Sequence, residues 1–506
     1  MFSVWSGSMS HCRLAPLGSW LEQLPTKQYY APSTLLGLAV RSLLRHEALA
    51  ISALQKLPME LFPSLFKEAF NSRHMKIITA MVAEWPFSCL PVGALMQDND
   101  VVILQAVLDG VDMLLKQKVH LRRSKLRVLD LRKVCHVFWD VWPGLECGES
   151  STGTLSKAKT ENDLPRYALR QHLKVVTDFF LKLALDKEQA YLLQWAQQQQ
   201  GPVQLCCSKM IICDAPEQVF MKVLNIFKPH YIEELYLSTY WTPRELGHFE
   251  HCFVQMRNLR KLHLARVSVY INCAVYTLED REKCTTRFLA QISKLKCLQD
   301  LIVNDSYFSN KHIKHLFRCL KTPLESLSIK LSHIPPSTLK HLSQCRGIFQ
   351  LKYLTLFSAS LFNLCPTALQ VLLKSVADTL QTLEIRQCCI RDSQHSALLP
   401  ALSQCLQLRS VNFYDTVISM SALKDLLQSM ANLSKLTDEH YPAPQECYND
   451  QGHVLVNKFA NLCLDVLNTL RVKREPKVIS FATDVCRKCL QRCVFNGKTS
   501  LCRCLS

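Results

Sequence analysis

Four cysteines near the C-terminus have the spacing of a metal-binding site. Cys486 and Cys489 form a C-x-x-C pair, and a C-x-C pair follows at Cys502 and Cys504. Two close thiol pairs on tight turns can supply the four sulfur ligands of a tetrahedral structural zinc site. Such a metal would order a tail that has little apolar mass. The spacing therefore predicts zinc, with Cys493 as a spare or competing ligand, and reduced thiols on a frayed tail are the alternative.

A second pattern, near the N-terminus, indicates protein binding. Leu35, Ala39 and Leu43 recur at four-residue spacing and therefore share one face of a predicted helix. A leucine with a small residue on the same face allows a helix to enter a partner's groove closely. Packing within the protein's own core is the alternative, because many amphipathic helices match so loose a pattern.

The segment that follows has an apolar-Pro-x-x-apolar-x-x-x-apolar pattern. It is formed by Leu57, Pro58, Leu61 and Leu65. Alone, this pattern has the same alternative of core packing. Together and in this order, the two patterns resemble the elongin-binding and cullin-2-binding boxes of the substrate receptors of ubiquitin ligases.

The sequence lacks the motifs of common catalytic and phosphate-binding sites. Glycine provides only 13 of 506 residues, which is well below its usual share of ~7%. The patterns G-x-G-x-x-G, G-x-x-x-x-G-K-[ST], G-x-S-x-G and H-E-x-x-H do not occur. We therefore expect a protein that is not an enzyme and has no small-molecule substrate.

The elements that must position these residues are repeats. The sequence returns to the pattern L-x-x-L-x-L at 232–237, 259–264, 298–303, 324–329, 351–356, 380–385 and 408–413. The middle apolar residues of successive copies are 27, 39, 26, 27, 29 and 28 residues apart. This is the period of leucine-rich repeats with one insertion.

Each copy predicts a short strand, and the stretches between copies have apolar residues at helical spacing. One strand and one helix per repeat, stacked on their neighbours, give an α/β leucine-rich-repeat solenoid with a horseshoe shape. An outlying copy at 126–131 and an alternating stretch at 203–207 are candidates for further repeats. Helical periodicity is also predicted for 33–118 and for 167–200.

Composition divides the chain into four parts. We assign 1–32 to an N-terminal extension and 33–120 to a helical adaptor region that carries the two box-like patterns. Residues 121–445 form the solenoid, and 446–506 form a C-terminal cap with a cysteine-rich tail. Within the solenoid, the Gly-, Ser-, Thr- and Lys-rich stretch 144–163 predicts a flexible surface loop.

Charge and cysteine content bear on location and partners. The formal net charge is +18, with denser basic runs at 120–127 and 471–477. A solvated basic face accounts for these runs most simply, and nuclear import or phosphate contact is the alternative. The sequence has no membrane-spanning apolar run, no signal-peptide core and too few cysteines for a disulfide scaffold. We therefore predict a cytoplasmic protein, also placed in the nucleus, without membrane association, and we disfavour nucleic acid as a partner.

The chain resembles the PRAME family (preferentially expressed antigen in melanoma), and within it the expanded rodent set. The resemblance covers roughly 33–504, so 1–30 look like an added extension. The stretches that carry it are 57–66, 85–91, 106–110, 126–133, 399–405, 441–444 and the closing C-x-x-C…C-x-C.

The resemblance implies a horseshoe of leucine-rich repeats without catalytic residues. It implies a substrate receptor of a cullin-2 RING ubiquitin ligase, which recruits target proteins for ubiquitination and proteasomal degradation. It also implies roles in repressing transcription, restraining differentiation and apoptosis, and promoting proliferation. The alternative is a ligase-independent corepressor, a protein-interaction scaffold for nuclear factors.

The family's binding residues map onto the two box-like patterns. The first box would contact elongin C of the elongin B/C pair through Leu35, Ala39 and Leu43. The second would lie near cullin-2 and its RING subunit, through Leu57, Pro58, Leu61 and Leu65. Ala39 departs from the Cys or Ser that such boxes often carry, which bears on affinity.

The repeats also predict where an unidentified target protein binds. In each strand, the residue between the last two apolar positions points away from the core, onto the concave face of the solenoid. This row and the next, which begins with Ser238 and Ala265, mix aromatic with oppositely charged side chains and so suit a protein partner. Ordinary solvated positions are the alternative. The target-binding residues that we select are Tyr236, His263, Phe357, Glu384, Arg386, Asn412 and Tyr414.

Overall fold

The computed structural model describes most of the region from residue 35 to residue 505. The described ranges are 35–97, 100–117, 124–134, 137–139, 173–199, 201–269, 277–304, 308–331, 336–358, 366–386 and 392–505. The predicted N-terminal extension and the predicted loop at 144–163 lie outside the described residues.

The strands follow one another along the chain at the repeat spacing. In the described ranges they are β1 (Cys89–Leu90), β2 (Val128–Asp130), β3 (Leu173–Leu181), β4 (Val203–Cys213), β5 (Glu234–Ser238), β6 (Tyr240–Trp241), β7 (Lys261–Ala265), β8 (Ser268–Val269), β9 (Asp300–Asn304), β10 (Ser326–Leu331), β11 (Tyr353–Ser358), β12 (Thr382–Arg386), β13 (Ser410–Asn412), β14 (Asp438–Pro442), β15 (Val478–Ala482), β16 (Val494–Phe495) and β17 (Thr499–Ser500).

Helices connect the strands. Across the described parts of the chain they are α1 (Leu35–Leu44), α2 (Glu47–Ala53), α3 (Phe62–Asn71), α4 (Met75–Ala83), α5 (Val101–Lys116), α6 (Lys187–Gln198), α7 (Glu217–Ile226), α8 (Pro243–Phe253), α9 (Leu278–Ala290), α10 (Asn310–Cys319), α11 (Pro336–Ser343), α12 (Pro366–Val376), α13 (Asp392–Leu402), α14 (Met420–Ser429) and α15 (Val456–Arg471). None of these helices is long and apolar enough to cross a membrane.

One long sheet contains every strand above except β6 and β8, which pair with each other. Neighbours from β1 to β15 are parallel and follow sequence order, whereas β15, β16 and β17 are joined by antiparallel pairs. Parallel neighbours need a crossover connection, which α-helices provide from β3 to β15. The fold is therefore the predicted α/β leucine-rich-repeat solenoid.

The leucine pattern sets the register of the sheet. Leu235 pairs with Leu262, which pairs with Leu301, and the alignment continues through each copy to Val411. These middle residues are at most 1% exposed, and each buried leucine contributes roughly 1.5–3 kcal/mol of hydrophobic stabilisation. The long step of 39 residues contains α9 and a following turn of 3-10 helix.

The predicted helix over 167–200 is wrong at its N-terminal side. Residues 173–181 form β3, in which alternate side chains from Leu173 to Leu181 are buried. Val175, Val176 and Thr177 are β-branched, which favours a strand. This preference and the alternation of buried side chains outweighed the helical spacing of the leucines. The later part of the segment forms α6, as predicted.

The spacing of strands and helices makes the solenoid curve. Strands in a sheet lie ~4.8 Å apart, whereas packed helices need ~8–10 Å. Consecutive repeat helices pack against each other on one side of the sheet, from α8 to α14. The strand side is therefore the inner, concave side, which we call the strand face.

Helices α1 to α5 form the region that precedes most of the sheet, around a dense aromatic core. Trp85 is fully buried, and its ring lies 5.3 Å from that of Phe66 and 6.2 Å from that of Phe62. Gly110 allows α4 and α5 to approach closely, because a Cβ atom there would lie 2.5 Å from the Thr79 carbonyl oxygen. The sheet itself begins at β1, inside the range assigned to the helical region.

Strand β14 continues the sheet without the leucine pattern. Glu439 takes the core position in register with Val411 and is fully buried. Arg474 donates to both of its carboxylate oxygens, at 2.6 and 2.5 Å, and Tyr441 Oη donates at 2.7 Å. Burial and then the Glu439 carboxylate raise the pKa of Tyr441 well above its usual range. Arg474 of the basic run 471–477 is thus a structural ion-pair partner.

Candidate functional site

Helix α1 has two adjacent apolar rows. Val40 and Leu44 are buried and pack into the core, with Leu36 partly buried beside them. The neighbouring row holds the predicted elongin-binding residues. Leu35 is 86% exposed, Ala39 is exposed and Leu43 is half-buried against the core. One row therefore fixes the helix to the protein while the other remains open to a partner.

The predicted cullin-binding segment is only partly accessible. Pro58 is exposed, and Leu57 and Leu61 are half-buried. Leu65 lies in α3 and is 1% exposed, so its side chain belongs to the core and does not reach a partner. This stretch of α3 is buried because its apolar residues face the aromatic cluster around Trp85.

On the strand face, the predicted row is continuous. Each member is paired in register with the next, and each is half-buried between apolar residues that are at most 1% exposed. In order along the sheet, the row reads Tyr236, His263, Ile302, Ser328, Thr355, Glu384 and Asn412.

Aromatic rings begin this row. The Tyr236 and His263 rings meet edge to face with centroids 4.3 Å apart. Burial, and then the nearby Lys261 charge, lower the pKa of His263 to about 4. Burial also raises the pKa of Tyr236. Both side chains are therefore neutral at physiological pH and present a polarisable, uncharged surface.

Charged groups follow in the neighbouring row. Lys330 Nζ lies 4.4 Å from the centre of the Phe357 ring. Further along, Arg386 Nη2 is 3.4 Å from Asp415 Oδ2, and Arg492 Nη1 is 2.6 Å from Asp415 Oδ1. The Arg492 guanidinium also lies 5.5 Å from the centre of the Tyr414 ring. These contacts hold large side chains in fixed positions on the strand face.

The neighbouring row does not point into solvent along its whole length. Ser238 and Ala265 are 1% and 3% exposed, so the prediction that this row faces outward is wrong at its start. Arg266 Nη2 donates to Ser238 Oγ at 3.3 Å and helps to cover it. Lys330 is exposed, and Phe357 and Arg386 are half-buried. Tyr414 lies just after β13 and is also half-buried.

The first row extends beyond the predicted residues. Asn412 is in register with His440, and His440 with Ser480. Ser480 Oγ lies 2.6 Å from His440 Nδ1 and 2.6 Å from Tyr414 Oη, and His440 Nε2 lies 3.2 Å from Asp438 Oδ1. Ser480 is 7% exposed and shares its hydroxyl between two partners, so this chain is a hydrogen-bond network that supports the surface. The repeat step of 28 from Asn412 would have identified His440.

The cysteines of the two C-terminal pairs lie together. The Sγ atoms of Cys486, Cys489 and Cys502 are all within 4.8 Å of one another, the spacing of potential metal ligands. Cys504 lies outside this group of three, but its thiol interacts electrostatically with those of Cys486 and Cys489. Cys493 is 1% exposed, and its Sγ accepts a hydrogen bond from the Cys502 N–H at 3.4 Å.

Comparison with protein-family models and known proteins identifies relatives of this chain. Residues 32–139 match the PRAME N-terminal domain, and residues 173–504 match the PRAME C-terminal domain. The chain is 42% identical over 473 residues to PRAME family member 12 of Homo sapiens, covering 93% of this chain and 97% of that protein. It is 40% identical over 474 residues to Oogenesin-3 of Mus musculus, covering 93% and 94%.

A solved structure of a leucine-rich repeat-containing protein from Legionella pneumophila is also similar. It is 16% identical, with a TM-score of 0.35, over 60% of this chain and 91% of that one. The human and mouse relatives match about equally well, so they do not assign the chain to a rodent set. Both family models and nearly the full length of each relative are covered. The chain therefore belongs to the PRAME family.

Proposed function

We propose that this protein is a substrate-recognition receptor of a cullin-2 RING ubiquitin ligase. In this proposal, α1 binds elongin C of the elongin B/C pair, and the strand face holds the target protein for ubiquitination. The protein itself performs no chemistry, because transfer of ubiquitin is carried out by the rest of the ligase. Effects on transcription, differentiation, apoptosis and proliferation would follow from the identity of the target.

The observation that carries the proposal is the exposed apolar row of α1. Scattered exposed leucines are ordinary on protein surfaces. Leu35 and Leu38, however, are 86% and 51% exposed on one short helix whose opposite side is buried. Helices that bind in grooves present such rows at positions i and i+4. Ala39 leaves room between Leu35 and Leu43 for close approach of the partner.

The helix is also held in place before any partner arrives. Val40 and Leu44 are buried, and Arg41 Nε donates to Glu68 Oε1 of α3 at 3.3 Å. A preformed helix loses less conformational entropy on binding than a disordered segment would. The second box begins shortly afterwards, at Leu57 and Pro58, so both partners would dock on the same end of the molecule.

The test is co-purification of the ligase subunits with variants of the full chain. Replacing Leu35 and Ala39 by glutamate should abolish capture of elongin B/C and cullin-2. The matched control is Val371→Glu on α12, which changes a residue that is 50% exposed on a repeat helix. Replacing Leu57 and Pro58 by alanine should lose cullin-2 but keep elongin B/C.

The result also distinguishes the ligase receptor from the corepressor alternative. Recovery of the complete ligase with the Leu35 and Ala39 variant would contradict the docking role of α1. Wild-type chain that captures nuclear factors but neither elongins nor cullin-2 would favour the ligase-independent scaffold. Thermal unfolding of each variant must remain close to wild type, because loss of the fold would remove every partner at once.

A further inference from the structure

The loop after β15 and the segment after β17 bring four thiols to one place. A zinc ion with sulfur ligands at ~2.3 Å has neighbouring sulfurs ~3.8 Å apart in a tetrahedron. The three Sγ atoms of Cys486, Cys489 and Cys502 already fall within 4.8 Å of one another. Only small side-chain adjustments separate this arrangement from three corners of a tetrahedron.

The fourth corner is best filled by Cys504. Its thiol interacts electrostatically with those of Cys486 and Cys489, whereas the Sγ of the buried Cys493 lies 3.4 Å from the Cys502 nitrogen. Cys504 is exposed, so it can turn toward a metal without disturbing the core. Cys493 is 1% exposed and is not one of the three cysteines whose Sγ atoms lie within 4.8 Å of one another.

The backbone around both pairs forms tight turns. The Cys486 N–H donates to the Gln491 carbonyl at 2.8 Å, and the Leu490 N–H donates to the Cys486 carbonyl at 2.9 Å, which closes a tight turn. Leu490 adopts a φ of +58°, a conformation that costs a branched residue free energy.

The second pair lies in a turn of its own. The Leu505 N–H donates to the Cys502 carbonyl at 2.9 Å, so the chain bends between Cys502 and Cys504. Two close pairs, each held in a tight turn, provide the arrangement that a tetrahedral zinc site with sulfur ligands requires.

The surrounding charge has the sign that such a site requires. Four thiolates and one divalent cation carry a net charge of −2, which exposed cations can offset. Arg487 and Lys488 stand between the ligands of the first pair, and Arg503 stands between those of the second. All three side chains are exposed.

We propose that Cys486, Cys489, Cys502 and Cys504 bind one structural zinc ion that closes the C-terminal end of the sheet. Strands β16 and β17 have only two residues each, and such a hairpin is marginal without further support. The zinc would fasten the end of the chain to the loop after β15. It would thereby hold the hairpin over the edge of the sheet, a role independent of ligase binding.

The experiment measures metal in the full chain purified without chelators. We expect about one zinc ion per chain, and a loss of at least about tenfold when Cys489 and Cys502 are both changed to serine. Cobalt(II) added to metal-free protein should give the intense visible absorption of a tetrahedral thiolate site. The matched control is Cys297→Ser, an exposed cysteine far along the chain, which should keep its zinc.

Two single variants test the ligand assignment. Cys504→Ser should weaken zinc binding, and Cys493→Ser should leave the zinc content and the cobalt spectrum unchanged. Loss of zinc from the Cys493 variant alone would overturn the choice of fourth ligand. Wild-type protein with no zinc, with iron in its place, or with these cysteines in disulfides would overturn the proposal.

Discussion

The two ends of the sheet are closed by different physical means. At the N-terminal end, five helices bury a cluster of aromatic rings around Trp85. At the C-terminal end, a buried ion pair, a hairpin with two residues in each strand and a group of thiols follow the last repeat. The first end is stabilised mainly by apolar area, whereas the second adds directed polar contacts to an apolar core that includes Tyr441 and Phe481. The stability of the first end should therefore depend on packing, and that of the second also on charge and ligands.

The largest expected effect belongs to the aromatic end. Trp85→Ala should lower the free energy of unfolding by about 4–5 kcal/mol, because a fully buried ring with several ring neighbours is removed. Denaturant unfolding measures the change. Phe349→Ala is the control, since this ring is 49% exposed and its loss should cost far less. Equal effects of the two changes would show that the aromatic cluster is not the main support.

The next effect tests the polar end. Arg474→Ala should cost about 3–4 kcal/mol, because it leaves the fully buried Glu439 carboxylate without its partner. Arg471→Ala is the matched control, since Arg471 pairs with Glu475 on the surface. Changing Glu439 to leucine and Arg474 to methionine together should recover most of the loss. A double variant as unstable as the single one would argue against charge burial as the cause.

A smaller, local effect is expected on removal of the proposed zinc ion. Chelation should reduce hydrogen-exchange protection of β16 and β17 by about 10–100-fold, because the hairpin loses its fastening. Protection in α4 and α5 at the other end should stay unchanged. Loss of protection along the whole sheet would mean that the cysteine group supports more than the hairpin.

The smallest effect concerns pH and lies between the two ends. Burial lowers the pKa of His395 from 6.5 to about 4, so the unfolded chain takes up this proton first as the pH falls. The associated stability is complete above pH 6.5 and is lost as the pH falls toward about 4. His395→Gln should flatten this part of the stability profile, measured by denaturant unfolding at each pH. An unchanged slope would assign the pH dependence to other groups, such as His263.

The repeats were predictable because every copy must meet the same physical requirement. Each middle leucine must reach the same core, so its register followed directly from the sequence. The helix assigned to β3 was wrong because strand alternation and helical spacing overlap in one apolar segment. The leucine pattern did not predict β14, because Glu439 occupies the position of a core leucine. The charge of Glu439 is balanced by Arg474, which lies 35 residues away.

The candidate sites show the same division. The exposed row of α1 could be read from four-residue spacing, since that spacing fixes which residues share a face. The burial of Leu65 could not, because it depends on rings supplied by distant segments. The cysteine spacing predicted a common position, but it could not reveal that the turn around the first pair requires Leu490 to adopt a positive φ.

The unbroken register of the strand face has a consequence for how specificity can change. Six strand steps separate Tyr236 from Asn412, which amounts to about 29 Å at ~4.8 Å per step. Residues so far apart contribute additively to a binding free energy. If the proposed target binds along this row, its two ends would act as separable subsites. Substitutions at one end would then retune the affinity for the target while contacts at the other end remain intact.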